Sequence, residues 1–331
     1  MAQEAGVSLG TVSDILNRSE AVAEATRTRV PEVIDSLGYI RAEGARRLRG
    51  WASRVIAVMV LDMANPFFTA LASGVEQAAR EADLGVMVRT GAHDPAEAAR
   101  HLSPITSHQV RGAVLTTDVG IGRTVVAFRR NAVPFVIADQ SAPQPAACSV
   151  GIDDLAGGHA AARHQIAQGH RSIAYVNGPD SLQQARNRRH GALRAVGEAG
   201  LPADTLLEPP CSALTVDARK DAGHRTLGLP ERPAAVFCAN DLLALGVMQA
   251  LYEAGLGAPD DIAVVGYGDI EFAASAVVPL TSIRRPALAM GQQAGRLLVE
   301  DTSVGLLHEH THVVLQPELV VRRSTTAVPA R

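Results

Sequence analysis

The sequence predicts an α/β fold in which a small N-terminal helix-turn-helix head precedes a two-lobed body built on parallel sheets. Three observations carry this expectation. The stretch AGVSLGTVSDILN at residues 5–17 joins the end of one helical segment to the start of another through Gly6. From residue 55 onward, continuous apolar runs alternate with helical spans, the pattern of parallel strands covered by helices. Polar residues recur just past the C-terminal ends of those runs, at Asn65, Asp139, Asn177, Asn240 and the 268–269 corner, where doubly wound sheets bind ligands.

In the head, Ser8 is placed as an N-cap and Val12, Ile15 and Leu16 fall on one face of the following helix. A helix of this kind, with small polar residues at its front, is the one that enters a major groove. Residues 20–25 form a polar connection, and 26–37 read as a third helix burying Val30, Val33, Ile34 and Leu37, with Pro31 expected in its first turn. Gly38 stops that helix, and Tyr39 and Ile40 close a miniature core. Residues 42–48 have moderate helix propensity but are too few to hold a helix alone, so this segment is expected to order against DNA or a second copy. Arg41, Arg46, Arg47 and Arg49 against Glu43 make it locally basic.

Along the body, residues 55–61, 84–89, 112–116, 135–139, 172–177, 234–239 and 262–266 read as strands. Residues 70–83 form a helix packing Leu71, Val75, Ala78, Ala79 and Ala82 inward, and 154–168, 186–199 and 241–254 form further helices. The expected division is a head at 1–40, a hinge at 41–53 and a ligand-binding and dimerisation body at 54–331. Its first lobe takes about 54–153 and 283–312, and its second about 154–282 and 313–331.

A chain of 331 residues and 34.7 kDa exceeds a single small core. No apolar run is long enough to span a bilayer and no signal-type start is seen, so a cytoplasmic location is expected. The net charge of −3 does not advertise nucleic acid, and residues 1–50 balance seven arginines with seven acidic groups; phosphate affinity would depend on local placement. Cys148, Cys211 and Cys238 are scattered, without metal or redox spacing, and are expected to be small buried or half-buried residues.

Enzyme signatures are missing from the sequence. Neither Gly266-Tyr267-Gly268 nor Gly120-Ile121-Gly122 opens a helix as a dinucleotide loop does, and there is no P-loop or nucleophile elbow. His308, His310 and His312 alternate as metal ligands on a strand would, but without a neighbouring Cys they are expected on an exposed strand or loop, with no metal. No cofactor and no catalytic residue is expected. The polar strand ends suit a small polar or sugar-like ligand. Arg188 offers directed donors, Asn240 donates and accepts, Asp139 accepts from hydroxyls, and Phe67 and Phe68 offer flat apolar surface. Each has a plain alternative: Asn as a cap, Arg as a surface pair, paired Phe as core.

The chain resembles the lactose/galactose repressor (LacI/GalR) family of bacterial transcription regulators along nearly its whole length. The resemblance rests on AGVSLGTVSDILN, LGYIR, RRLRG, NPFF at Asn65, GIDDLAGG at Gly151, GHRSIAYVNGP at Gly169, RNRRHGALRA at Arg186, CANDLLALGVMQAL at Cys238, DIAVVGYGDIE at Asp261, PLTSIRRP at Pro279 and VVRRST at Val320. It implies a homodimer, in some members a tetramer, on a near-palindromic double-stranded operator. The implied body is periplasmic-binding-protein-like, its lobes changing angle when a sugar or sugar derivative occupies the cleft. By resemblance Leu9, Gly10 and Asp14 read bases, Thr11 and Ser13 support backbone contacts and fold, and Ser8 and Asn17 complete the DNA-binding set. Leu48, with Ala45 one turn before it, is the minor-groove wedge. The same resemblance implies effector contacts from Asn65, Phe67, Phe68, Asp139, Arg188, Asn240 and Asp269. The function expected is an effector-controlled repressor; the alternative is a solute-binding protein of the same two-lobed fold without DNA binding.

This sequence departs from the family in four places. Only residues 2–5 precede the turn, so the first helix is expected to be truncated, either by a start placed too late or in an N-terminally degraded regulator that binds DNA poorly. Asp14 stands where Arg is common, and Arg41 and Ala42 stand where Pro and Asn are favoured. Gly268 replaces an acid that accepts ligand hydroxyls, so Asp269 takes that role only if its loop turns differently.

Overall fold

The computed structural model describes residues 2–17, 22–37, 53–90, 110–116, 121–140, 147–178, 182–211, 216–304 and 308–326. The chain divides into two units, Met1–Ala52 and Ser53–Arg331, each taken by itself. Of the hinge expected at 41–53, residues 41–52, with Ala45 and Leu48, lie outside the described residues, as do Gly38, Tyr39 and Ile40.

Among its described residues the head holds a turn and two helices, α1 (Leu9–Asn17) and α2 (Glu24–Ser36). Residues 2–7 carry the hydrogen-bond pattern of a helix C-terminus. Val7 N–H donates to Ala2 O (3.0 Å) and Gly6 N–H to Gln3 O (3.2 Å), with Gly6 at φ +60° in the left-handed region such a stop requires. Ala5, Val12, Ile15 and Val30 are buried together and Val7, Val22, Val33 and Ile34 pack around them. The third-helix expectation is corrected at three points. The helix starts at Glu24, Pro31 sits mid-helix, where its ring leaves the Arg27 carbonyl without a helical donor, and Leu37, just past the end at Ser36, is 44% exposed rather than buried.

The body holds two six-stranded sheets. The first contains β1 (Val55–Val60), β2 (Gly85–Thr90), β3 (Ala113–Leu115), β4 (Phe135–Ala138), β5 (Cys148–Ile152) and β11 (His312–Leu315), in the order β11-β5-β4-β3-β1-β2 and all parallel. The second contains β6 (Ile173–Val176), β7 (Leu206–Leu207), β8 (Ala235–Cys238), β9 (Ala263–Gly268), β10 (Thr281–Arg284) and β12 (Glu318–Val320), ordered β12-β10-β9-β8-β6-β7, with only β12 antiparallel. The same order appears in both, so each sheet reverses direction beside its first strand and opens a crevice at the strand C-termini.

Helices α3 (Pro66–Glu81) and α4 (Ile121–Arg130) belong to the first sheet, and α5 (Asp154–Ala167), α6 (Gln183–Glu198), α7 (Val216–Leu227), α8 (Asp241–Glu253) and α9 (Glu271–Ser275) to the second. The long α10 (Ala287–Val304) returns to pack on α3. No described helix is long and apolar enough to cross a membrane.

Among the described residues the chain passes between lobes three times: before α5, after β10 and between β11 and β12. Pro286 and Pro317 stand at the second and third passages, where no ladder needs an N–H. The expected lobe limits shift accordingly. Arg284 pairs with Gly268, so residues 283–284 belong to the second sheet, whereas Val313, Val314 and Leu315 pair with β5 in the first.

Two helix pairs meet backbone to backbone through reciprocal glycines. A methyl on Gly74 would fall on the Leu288 carbonyl oxygen, and one on Gly291 on that of Leu71, which fixes α3 against α10. In the second lobe, Gly158 meets the Arg188 backbone and Gly191 the Leu155 carbonyl, which fixes α5 against α6. The second contact holds Arg188 beside the strand ends of the second sheet, where it reaches the Ala239 carbonyl.

Candidate functional site

In the head, the Ser8 hydroxyl accepts from the Thr11 N–H (3.0 Å) and lies 2.9 Å from the Thr11 hydroxyl, so Ser8 is the N-cap that begins α1. With Val12 and Ile15 turned into the core, the helix presents Leu9, Gly10 and Asp14 outward. Leu9, a large apolar side chain, is 81% exposed. Thr11 and Ser13 are half-buried and Asn17 ends the helix. The first turn carries no acidic residue, so the partial positive charge at the helix start is unopposed there.

In the body, the sequence-predicted residues divide into caps and a charged cluster. Asn65 ends the loop after β1 and accepts from Phe67 N–H (3.1 Å), capping α3. Asn240 does the same for α8 through Leu243 N–H (2.8 Å). Their side-chain oxygens are therefore occupied in holding the helix starts that carry neighbouring site residues. Phe68 packs edge-on against Phe67 with ring centroids 5.1 Å apart and lies in the core.

Phe67, Asp139 and Arg188 are brought into one buried chain of contacts with four residues that the sequence reading did not assign: Arg285, Gln184, Asp154 and Tyr267. The Arg285 guanidinium stacks on the Phe67 ring, 3.5 Å from its centroid, forms an ion pair with Asp139, and lies 6.0 Å from the Tyr267 ring. Gln184 reaches the other Asp139 oxygen at 3.4 Å. Arg188 donates to Asp154 (2.8 Å) and to the Ala239 carbonyl (2.6 Å) and lies 3.9 Å over the Tyr267 ring. These residues come from both lobes and from the passage between them. A further link joins the loop after β1 to α7, through Arg219 and Asp62 at 3.5 Å.

Backbone geometry marks the same place. Asp139, just past β4, is held at φ +68°, and Asp269, just past β9, at φ +53°, both left-handed conformations uncommon outside glycine. Asp269 nevertheless does not turn to replace the missing acid of the 268 position. Its N–H donates to the Ser282 hydroxyl (3.0 Å), and its carboxylate pairs with Arg284 (2.8 Å) and Arg322 (2.6 Å).

Burial sets the electrostatics. It pushes the Asp154 carboxyl above its ordinary range, against the pull of the Arg188 charge and hydrogen bond. It lowers Arg285 to about 9, which leaves a cation at neutral pH. Asp241, the first residue of α8, is pushed up to about 6 by burial, opposed by hydrogen bonds from the Ser282 hydroxyl (2.6 Å) and Ile270 N–H (2.9 Å). Asp269 adds like charge and Arg322 opposes it. Because the folded value lies above the unfolded one, folding takes up a proton between about pH 4 and 6 and stability rises as pH falls through that window. Urea unfolding of wild type and Asp241→Asn at pH 7 and pH 5 checks this: wild type should gain about 1.3 kcal/mol relative to the variant at the lower pH. An unchanged difference would refute the assignment.

The chemistry available is recognition. Two cation-aromatic pairs offer planar donors and flat faces, and the carboxylates accept from hydroxyls. The charges neutralise one another in pairs rather than flanking a nucleophile.

Comparison with known proteins agrees with both units. The family described as bacterial regulatory proteins, lacI family, matches residues 1–42, and the periplasmic binding protein-like domain matches 162–325. The HTH-type transcriptional regulator DegA of Bacillus subtilis (strain 168) is 31% identical over 331 residues, covering 98% of this chain and 97% of that protein. The solved complex of the transcriptional regulator CelR with cellobiose is 30% identical, covers 98% of both chains and gives a TM-score of 0.74. The lac repressor dimer bound to operator and the anti-inducer ONPF is 25% identical, again with 98% of both chains covered, at a TM-score of 0.84.

Proposed function

The chain belongs to the lacI family of bacterial regulatory proteins, and from that premise we propose that it is a dimeric repressor whose operator affinity is set by a small polyhydroxylated effector held between its lobes. The match over residues 1–42 removes the alternative of a solute-binding protein without a DNA-binding head. On this proposal Leu9, Gly10 and Asp14 face base edges, while Ser8, Thr11, Ser13 and Asn17 fix the helix and meet the backbone. Asp14 can only accept, as from a cytosine amine, where an Arg would read guanine. Ala45 and Leu48 are proposed as the hinge contacts in the minor groove.

The observation that carries the effector reading is the buried cluster of Phe67, Arg285, Asp139, Gln184, Asp154, Arg188 and Tyr267 at the strand ends of both lobes. An effector that replaces contacts in this cluster favours one lobe angle over another, and the difference is transmitted to the spacing of the two heads. The cellobiose bound by CelR supports a sugar-like ligand. Asn65, Phe68, Asn240 and Asp269 are proposed to act at one remove, through the caps, packing and ion pairs described above.

The test uses full-length protein. Selection from random duplexes should return a near-palindrome, and Asp14→Arg should change the base preferred at one symmetric position. Thermal shift with neutral sugars, nucleosides and sugar acids should give a ligand whose effect is lost in Phe67→Ala and Arg188→Ala. Equal binding to all duplexes, or no ligand altering the affinity for a selected site, overturns the proposal.

A further inference from the structure

Pairing of β11 with β5 brings Cys148 beside two histidines, His308 and His310, about 160 residues further along the chain. Cys148, the first residue of β5, is buried, and its Sγ lies 3.0 Å from His308 Nε2 and 3.8 Å from His310 Nδ1. All three atoms lie within 4.8 Å of one another. A tetrahedral Zn2+ at ordinary Zn–S and Zn–N lengths separates sulfur from nitrogen by about 3.5 Å, a value that the two observed distances bracket. His312, by contrast, is turned to Ser149, with Nδ1 2.9 Å from its hydroxyl.

We propose that Cys148, His308 and His310 form a Zn2+ site at the edge of the first sheet, separate from the ligand cluster. One thiolate and two imidazoles are the donor set of a borderline-soft divalent ion, and His310 is exposed, which leaves the fourth position open to water. Outer groups suited to such a site are present. The Thr311 N–H donates to Cys148 Sγ at 3.3 Å, and Asp301, buried near the end of α10, feels the charge of both imidazoles. On binding, the Cys148 thiol releases its proton to solvent and the thiolate and both imidazoles donate to the ion. The ion then ties the segment before β11 to β5, and β11 leads directly into the third passage between lobes.

The experiment uses tag-free full-length protein, stripped with chelator and titrated with Zn2+ and, as a spectroscopic probe, Co2+. One ion per chain is expected, with a thiolate-to-cobalt charge-transfer band and tetrahedral d–d absorption. Cys148→Ser should abolish that band, and His310→Ala, an exposed position that does not threaten folding, should weaken Zn2+ binding at least ten-fold. His190→Ala, on the exposed face of α6, should leave it unchanged. Absence of stoichiometric binding, a cobalt spectrum without the thiolate band, or zinc affinity indifferent to both Cys148→Ser and His310→Ala overturns the site.

Discussion

Gly158→Ala is expected to destabilise the body by about 3 kcal/mol and to weaken effector binding as well. The added methyl would lie 2.7 Å from Arg188 Cα and closer still to that residue's carbonyl, both parts of a helix backbone with no flexible end to yield. The helices α5 and α6 must therefore separate, and Gly191, which meets Leu155 on the same seam, loses its contact too. Separation moves both members of one ion pair, since Asp154 starts α5 and Arg188 lies midway along α6. Gly74→Ala provides the comparison: it opens the α3–α10 seam of the first lobe by the same collision but leaves Arg188 where it is. Urea unfolding should show both variants destabilised. The effector-induced thermal shift, compared at equal fraction folded, should fall further in Gly158→Ala. Wild-type stability of Gly158→Ala would mean that the close approach of the helices is not what positions Arg188.

The order of strands and helices was legible because each buried parallel strand is a nearly unbroken apolar run, as in β1, where Ile56 to Val60 are at most 1% exposed. Strands that are short, at an edge or interrupted by small or polar residues were not: β5, β7, β10, β11 and β12 were all missed, β5 and β10 because Ser149 and Gly151, and Thr281 and Ser282, break the apolar run. β12 has three residues and β11 is half exposed, so neither produces a run, and the lobe limits were misplaced by two or three residues for that reason. Asn65 and Asn240 were found by their position after strands, yet position alone could not separate a cap from a ligand contact. Arg285 was missed because the adjacent Arg284 has the same chemistry; only alternation at the end of β10 shows that one turns outward and the other inward, and alternation does not say which. Asp154 and Tyr267 lay inside quoted family stretches without a role, since their meaning comes from Arg188 reaching them. The three cysteines were read correctly as buried or half-buried. The proximity of Cys148 to His308 and His310 depends on the pairing of β5 with β11, strands separated by about 160 residues, which no local spacing encodes.

Arg285→Met should cost 3–5 kcal/mol, roughly the penalty for leaving one member of a buried ion pair behind. Asp139 would keep only the 3.4 Å contact from Gln184 on one oxygen, and its backbone would still be held at φ +68° by the N–H bond to the Val150 carbonyl. The methionine preserves much of the apolar stem and can still lie on Phe67, so the loss isolates the charge. Two consequences separate this from generic damage. An unpaired buried carboxylate takes up a proton on folding, so the variant should recover stability as pH falls from 7 toward 5. Adding Asp139→Asn should restore most of the loss at pH 7, because the orphaned charge is then gone. Arg285 also stands on the second passage between lobes, against Phe67 of the first and facing Tyr267 of the second. The doubly substituted protein, stable but lacking the pair, should therefore bind its operator with a weakened or lost response to effector. Stability is read by urea unfolding at two pH values and the response by operator affinity with and without ligand. A double variant no more stable than Arg285→Met would show that the pair with Asp139 is not what the arginine contributes.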